Sequence, residues 1–521
     1  MTLVKSNYDV VIVGSGHNGL VAAAYLSQAG KNVLVLERND YIGGATTSQK
    51  IFPDYDANLS RYAYLVSLLP NQIVQDLGLS LHLKRRQIAS FTPFKRDNQH
   101  SGLLLSNVNE SINQQQINQL HRGDYAGYQR MIAIQQLFSA KIWDSFLTPL
   151  QSKKDWEKLF SSPEEKNAWR SFVEEPIGNF IEHYIQDDIL RGVVLTDAKI
   201  GAFTHAHDAC LLQNKTFLYH IVGNKTGEWR VPVGGMGAII EALKKATKNA
   251  TFLTEANVAS LHLKKDYHSV SFQHHQNQYE IQAKHILINA SPQTLTELLK
   301  ETYSPSVEDE GTAFKVNLLL HRLPKLKAKN VNPAEAFAGT FHINQSYQQM
   351  ATSFQEAESQ KIPLLPPCEI YCHTLTDNSI LSPELAQKGY QTLTLFGLDM
   401  PYSLFEKQPQ VTKKHVLEAY LRGINTYLDE SIEDCIAKAT DGSLCIEAKS
   451  AWDLEKEVGL PRGNIFHKAL SWFFAEQDQE VGQRGVETSH ERLYVCGSSA
   501  KRGGAVSGIP GYHAAMKVLD R

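Results

Sequence analysis

Long apolar runs, paired cysteines and an excess of charge of one sign are all missing from this 521-residue chain. No stretch approaches the roughly 18 consecutive apolar residues that a membrane-spanning helix needs, so any membrane contact is expected to be peripheral. No basic-then-apolar leader precedes the first strand near Tyr8, which reads as a cytoplasmic protein without a signal peptide. The 52 Lys plus Arg balance 55 Asp plus Glu, a formal net charge of -3. That balance gives no footprint for nucleic acid as a partner. Six cysteines (Cys210, Cys368, Cys372, Cys435, Cys445 and Cys496) are scattered, with neither a C-x-x-C pair nor a four-cysteine zinc spacing. A chain this long needs no disulfide staples, and the pattern suits a reducing compartment. Cys368 and Cys372 would share one face if PPCEIYCH is extended, and they read as packing residues. His205 and His207 in THAHD lack a third ligand, so no metal site is expected.

The chain is organised around Tyr8 to Thr46, YDVVIVGSGHNGLVAAAYLSQAGKNVLVLERNDYIGGAT. Asp9 to Val13 is an apolar, β-branched run ending on Gly14, and a helical pattern follows the third glycine of G-S-G-H-N-G. In that order Gly14 permits a tight turn, Gly16 admits a pyrophosphate to the backbone, and Gly19 lets the helix lie close to the strand. The helix N-terminus then offers N–H groups and a favourable dipole to phosphate. A second strand, Asn32 to Leu36, delivers Glu37, placed to accept hydrogen bonds from a ribose that carries no 2′-phosphate. Together these point to a dinucleotide-binding α/β unit.

From about Asn71 to Gly227 the pattern is mostly helical and polar. Met131, Ile134, Leu137, Phe138 and Ile142 recur at the spacing of a helix core. Gly234, Gly235 and Gly237 open a helix over Ala238 to Lys248. Strands are expected at Val258 to Leu263, Ser269 to Gln273, Tyr279 to Ala283 and, separately, Lys284 to Ala290. Further strands are expected at Lys315 to His321, Glu369 to Leu375 and Gln391 to Leu398, with an amphipathic helix over Val411 to Leu428, so a mixed or antiparallel sheet is foreseen there. Near the C-terminus, YVCGSSAKRGGAVSGIPG joins a short strand, Leu493 to Cys496, to a helix near Ile509. This glycine-rich junction either aims N–H groups at a flavin ring or simply caps a terminal helix.

These segments resemble the phytoene-desaturase-like flavoproteins of the amine oxidase superfamily. More narrowly they resemble the branch named after pyridine nucleotide-disulfide oxidoreductase domain-containing protein 2. The resemblance is carried by the N-terminal fingerprint with GGAT, SRYAYLVSLLPNQIVQDLGL, GEWRVPVGGMGAIIEAL, FKVNLLLHRLP, GLPRGNIFH and the terminal glycine-rich segment. It implies FAD, because a similar acid-Arg-x-x-x-x-Gly-Gly segment, here Glu37 to Gly44, wraps the pyrophosphate in related FAD enzymes. It also implies an α/β fold in which a discontinuous Rossmann-like FAD-binding domain (1–75, 226–300 and 455–521) is joined to an α+β substrate domain (76–225 and 301–454) of mixed sheet plus helices.

By position, the resemblance places Gly14, Gly16, His17, Asn18, Gly19, Glu37, Arg38, Gly43, Gly44, Ala45 and Thr46 at the adenosine and pyrophosphate. Val258, read as the first residue of its strand, would meet adenine through its backbone, with Ala290 nearby. Gly497, Ser498, Val506, Ser507, Gly508 and Ile509 would face the ribityl chain and flavin. His220 in TFLYHIVGN is the candidate catalytic residue, with a structural histidine as the other reading. Arg61, Tyr62 and Tyr64 are candidates to line a cavity. Lys501 and Arg502 depart from the family pattern and would either meet a polar substrate near the flavin or face solvent.

The activity implied is FAD-dependent dehydrogenation or desaturation of a hydrophobic, isoprenoid or lipid-like small molecule. An oxygen-using amine oxidation and a flavin-containing partner-binding role are the alternatives. A second G-x-G-x-x-G unit for NAD(P)H and a C-x-x-C are both missing, which argues against disulfide reduction.

Overall fold

The computed structural model describes residues 5–520. Its first strand, β1 (Asn7–Val13), is followed by helix α1 (His17–Gln28) and strand β2 (Val33–Leu36). Val10, Val11 and Ile12 are wholly buried, the continuous apolar run of a parallel strand covered on both faces. The helix starts at His17, three residues earlier than the sequence pattern suggested, so Gly19 lies inside its first turn.

The sheet runs 256–262, 268–274, 277–288, β1, β2, 251–253, with Leu493–Val495 added beside 277–288. Two sequence expectations are corrected here. Tyr279 to Ala283 and Lys284 to Ala290 are not separate strands but parts of one, Asn277–Ile288. No Gly or Pro interrupts NQYEIQAKHILI, so nothing breaks it; it pairs antiparallel with His268–His274 and parallel with β1. Val258 is the third residue of Ala256–His262, because Thr251–Leu253 forms its own strand beside β2.

Parallel register places Val13 opposite both Leu36 and Ile288, and Ile288 opposite Val495. Four strands therefore end at one level, delivering Gly14, Glu37, Asn289 and Cys496 to a common edge. Ligands of open parallel sheets bind at such carboxyl ends.

The second sheet has the order 446–449, 314–320, 391–397, 368–371, 340–343, 88–96, 99–106. It is antiparallel except where Thr340–Ile343 pairs parallel with Ile88–Arg96. The hairpin Ile88–Arg96/Gln99–Ser106 lies in the region read as mostly helical. Its turn residues Asp97 and Asn98 both have positive φ (48° and 61°), as a two-residue primed turn requires and as Asp and Asn tolerate better than most residues. The same region is less polar inside than its composition suggests. Met131, Phe138 and Ile142 of helix Asp124–Ile142 are fully buried with Phe172 and Phe217, while Leu137 stays half-exposed. Cys210 is exposed and the other five cysteines are buried and free. No helix among the described residues is long and apolar enough to cross a membrane.

Candidate active site

One cavity of about 1190 Å³ runs from the carboxyl edge of the first sheet to one face of the second. This exceeds the roughly 300–1,000 Å³ of a single small-molecule pocket and leaves room for two ligands end to end. At the first end Gly14 has φ 95°, and a Cβ there would stand 2.5 Å from the Asn289 carbonyl oxygen. Gly16 is the N-cap of α1, where no side chain caps the helix and no acid occupies the first turn. The uncapped N–H groups and the dipole make that end an anion site.

Asn289, which the sequence reading passed over, holds the turn: its Nδ2 donates to the carbonyls of Gly14 (3.1 Å) and Gly16 (3.2 Å). The signal was present as the first polar side chain after the apolar run ILI. Glu37 is fixed by Ser15 N–H (2.9 Å) and Oγ–H (2.7 Å) on Oε2 and by Asn39 N–H (2.9 Å) on Oε1. A carboxylate has about four acceptor positions, so one remains for a ribose hydroxyl. These residues fit a dinucleotide.

Of the expected cofactor residues, Gly14, Gly16, His17, Asn18, Glu37, Arg38, Gly44, Ala45, Thr46, Val258, Ala290, Ser498 and Val506 line the cavity. Gly19, Gly43, Gly497, Ser507, Gly508 and Ile509 do not line it and act from behind the wall. Gly19 sets helix against turn, a Cβ there falling 2.6 Å from the Gly14 carbonyl, and Gly43 packs on Ile240. Gly508 is the N-cap of the terminal helix Ile509–Val518, with Ser507 and Ile509 buried beside it. His17 Nδ1 meets Thr46 Oγ1 at 2.9 Å. Burial, then nearby His467, lowers its pKa to about 4, so it is neutral.

Tyr62 and Tyr64 line the cavity but Arg61 does not. Its guanidinium is tied to Glu447 (2.6 Å) and Gln49 (2.8 Å). Neither reading of Lys501 and Arg502 as a pair survives. Lys501 is engaged by Glu476 and Glu480, while Arg502 is wholly buried and donates to the carbonyls of Ser145, Thr148 and Arg484. Arg502 therefore braces the glycine-rich segment from within the protein.

At the other end of the cavity, the second sheet presents one face. Thr340 lies opposite Tyr371, His342 opposite Glu369, and Phe396 opposite both Glu369 and Lys315. All six side chains line the chamber, as one period-two face of a sheet would. Met131, Ile132, Val194 and Phe217 form an apolar wall on the helical side. His220 lines the chamber too, with Nδ1 on the Thr216 carbonyl at 2.9 Å and its ring 5.2 Å from Trp229. Its hydrogen bond and ring contact are those of the structural reading, and its place on the chamber wall leaves it within reach of a ligand.

Residues 12–72, which hold the glycine turn, Glu37 and GGAT, match the family model of the NAD(P)-binding Rossmann-like domain. Pyridine nucleotide-disulfide oxidoreductase domain-containing protein 2 of Mus musculus is 30% identical, with 99% of this chain and 94% of that protein aligned. The chain belongs to that protein's family. An uncharacterized protein of Mycobacterium tuberculosis is 41% identical over 98% of this chain and 97% of its own length. Putrescine oxidase bound to putrescine shares the fold, with a TM-score of 0.56, 16% identity and 99% of each chain covered.

Within this member of the domain-containing protein 2 family, two groups on the sheet face have altered proton affinity. Lys315 is buried, its Nζ donating to the carbonyls of Ser60 (3.0 Å) and Tyr62 (2.5 Å) and lying 4.6 Å from the Tyr64 ring centre. Burial holds its pKa well below 10.5. A neutral amine that spends its N–H bonds on two carbonyls keeps a lone pair for a proton. The sequence signal was a lysine inside the otherwise apolar strand Phe314–Leu320.

Burial also lifts the Glu369 carboxyl to about 8, and the Tyr371 hydroxyl donates to it. His342 lies 3.8 Å from Glu369. Burial lowers that histidine to about 3, so at neutral pH the contact joins two neutral groups. Because Glu369 binds its proton more tightly folded (about 8) than at its ordinary 4.5, it stabilises the fold below pH 4.5, and this contribution is lost as pH rises through about 8. Thermal unfolding across that range is expected to show Glu369→Gln losing less stability than the wild type. Parallel curves would mean that Glu369 is already ionised.

Proposed function

We propose that the protein is an FAD-dependent dehydrogenase or desaturase acting on a hydrophobic substrate, FAD when bound supplying N5 as the hydride acceptor. The observation that carries this reading is the single cavity joining the glycine cradle to the sheet-face chamber. Glu37 would take a ribose hydroxyl, the N-terminus of α1 the pyrophosphate, and Ser498 and Val506 the far part of the cofactor. Forming a C=C bond from adjacent C–H bonds releases a hydride and a proton. Lys315, its proton affinity lowered by burial and facing the chamber, is the residue placed to accept the proton at Nζ. The apolar wall of Met131, Ile132, Val194 and Phe217 keeps water away and gives a hydrocarbon its contact area.

Anaerobic mixing of the purified flavoprotein with apolar lipids or with aliphatic amines separates the readings. Lipid-dependent bleaching of the flavin absorbance, reversed by a quinone, is the expected result. Bleaching by amines, reversed rapidly by oxygen, would replace dehydrogenation with amine oxidation. A flavin unchanged by every class would leave a partner-binding role.

A further inference from the structure

The chamber is apolar on its helical wall but not where Arg86 meets the paired strand ends at Thr340 and Tyr371. Arg86 lines the cavity there. Its Nη1 donates to Thr340 Oγ1 at 3.1 Å, and its guanidinium carbon lies 5.5 Å from the Tyr371 ring centre. Its buried Nε has no hydrogen-bond partner, and it has no ion-pair partner among the described residues. Arginine stays protonated in proteins, so this is a half-buried cation with a buried, unpaired Nε–H and no paired anion, a donor that a ligand in the cavity could complete. The acids nearby form no ion pair with it, though their fields reach it. Glu369 keeps its proton to about 8 and is engaged by Tyr371. Asp197 is also pushed up by burial, against the fields of His220 and Arg86.

A guanidinium with an unpaired Nε–H beside a protonated carboxyl is a donor set for a carboxylate, and Met131, Ile132 and Phe217 line the same cavity. We infer that the chamber takes an amphipathic carboxylic acid, its carboxylate on Arg86 and its hydrocarbon along the apolar wall. This deepens the dehydrogenase reading by naming the class of substrate, and it rests on the chamber being the substrate site.

Equilibrium binding to the holoprotein by calorimetry tests it, with dodecanoate, dodecanol and dodecylamine as probes at concentrations where each is monomeric. Dodecanoate is expected to bind about 10- to 100-fold more tightly than dodecanol, the range for hydrogen bonds to a charged partner, and Arg86→Gln is expected to abolish the preference. Arg86→Lys, which keeps the charge, is expected to retain part of it and serves if the glutamine variant does not fold. Equal affinities, a preference for dodecylamine, or a carboxylate preference surviving in Arg86→Gln would each overturn the assignment. Binding is read without turnover, so the two failures separate. An acid that binds through Arg86 but never bleaches the flavin refutes the reaction and keeps the subsite, whereas lipid-driven bleaching without carboxylate preference does the reverse.

Discussion

Replacing Gly14 with alanine is expected to yield a folded chain that purifies without its dinucleotide. Gly14 sits at φ 95°, and the added Cβ would fall 2.5 Å from the Asn289 carbonyl oxygen, with Asn289 itself bonded to the Gly14 and Gly16 carbonyls. An L-residue at such φ costs on the order of 1–3 kcal/mol, and relieving the clash moves the turn that admits the pyrophosphate. A loss of about 3 kcal/mol of binding corresponds to roughly 100-fold in affinity. The measurement is cofactor retained per chain, together with the rise in Tm on adding FAD, which should be present in the wild type and lost in the variant. Gly30→Ala is the control. That glycine also has positive φ (80°) but nothing lies within 4 Å of the new Cβ, so strain without obstruction should leave cofactor binding intact.

The second large effect is expected at Lys315. Lys315→Met keeps an unbranched side chain of similar length in the buried strand but removes the amine. With a proton acceptor lost, kcat is expected to fall about 10²- to 10⁴-fold while cofactor content stays unchanged. In the wild type the rate should rise with pH as Lys315 loses its proton, at a pH well below 10.5 because burial disfavours the cation. That limb should vanish in the variant. Lys315→Arg should not restore activity, since a guanidinium keeps its proton. An unchanged kcat in Lys315→Met would remove this residue from the reaction.

Much of the cofactor end was legible because its signals are local. A glycine turn between strand and helix, and an acid at the end of the next strand, can be read without knowing what packs against them. The misplaced details came from beyond that window. Asn289 reaches Gly14 across 275 positions, and Lys501 and Arg502, read as meeting a polar substrate or facing solvent, have partners at Glu476 and Ser145 that are far away in sequence. The chamber was the least legible part. Its polar face alternates along three strands, so Thr340, His342, Glu369, Tyr371 and Lys315 become neighbours only through strand register. The hairpin at 88–106 was hidden by its polar flanks, although its Asp97-Asn98 turn was a usable sign. Burial, which lowers the proton affinity of Lys315 and keeps Glu369 protonated, is a property of the assembled fold and has no local spelling.

The most direct test of the account is the identity and amount of the nucleotide released when the purified chain is denatured. The cradle of Gly14, Gly16, Glu37 and Asn289, continued by Ser498 and Val506, predicts FAD at close to one molecule per chain. A chain that releases NAD(P), or that neither carries FAD nor binds it when FAD is added, would contradict it.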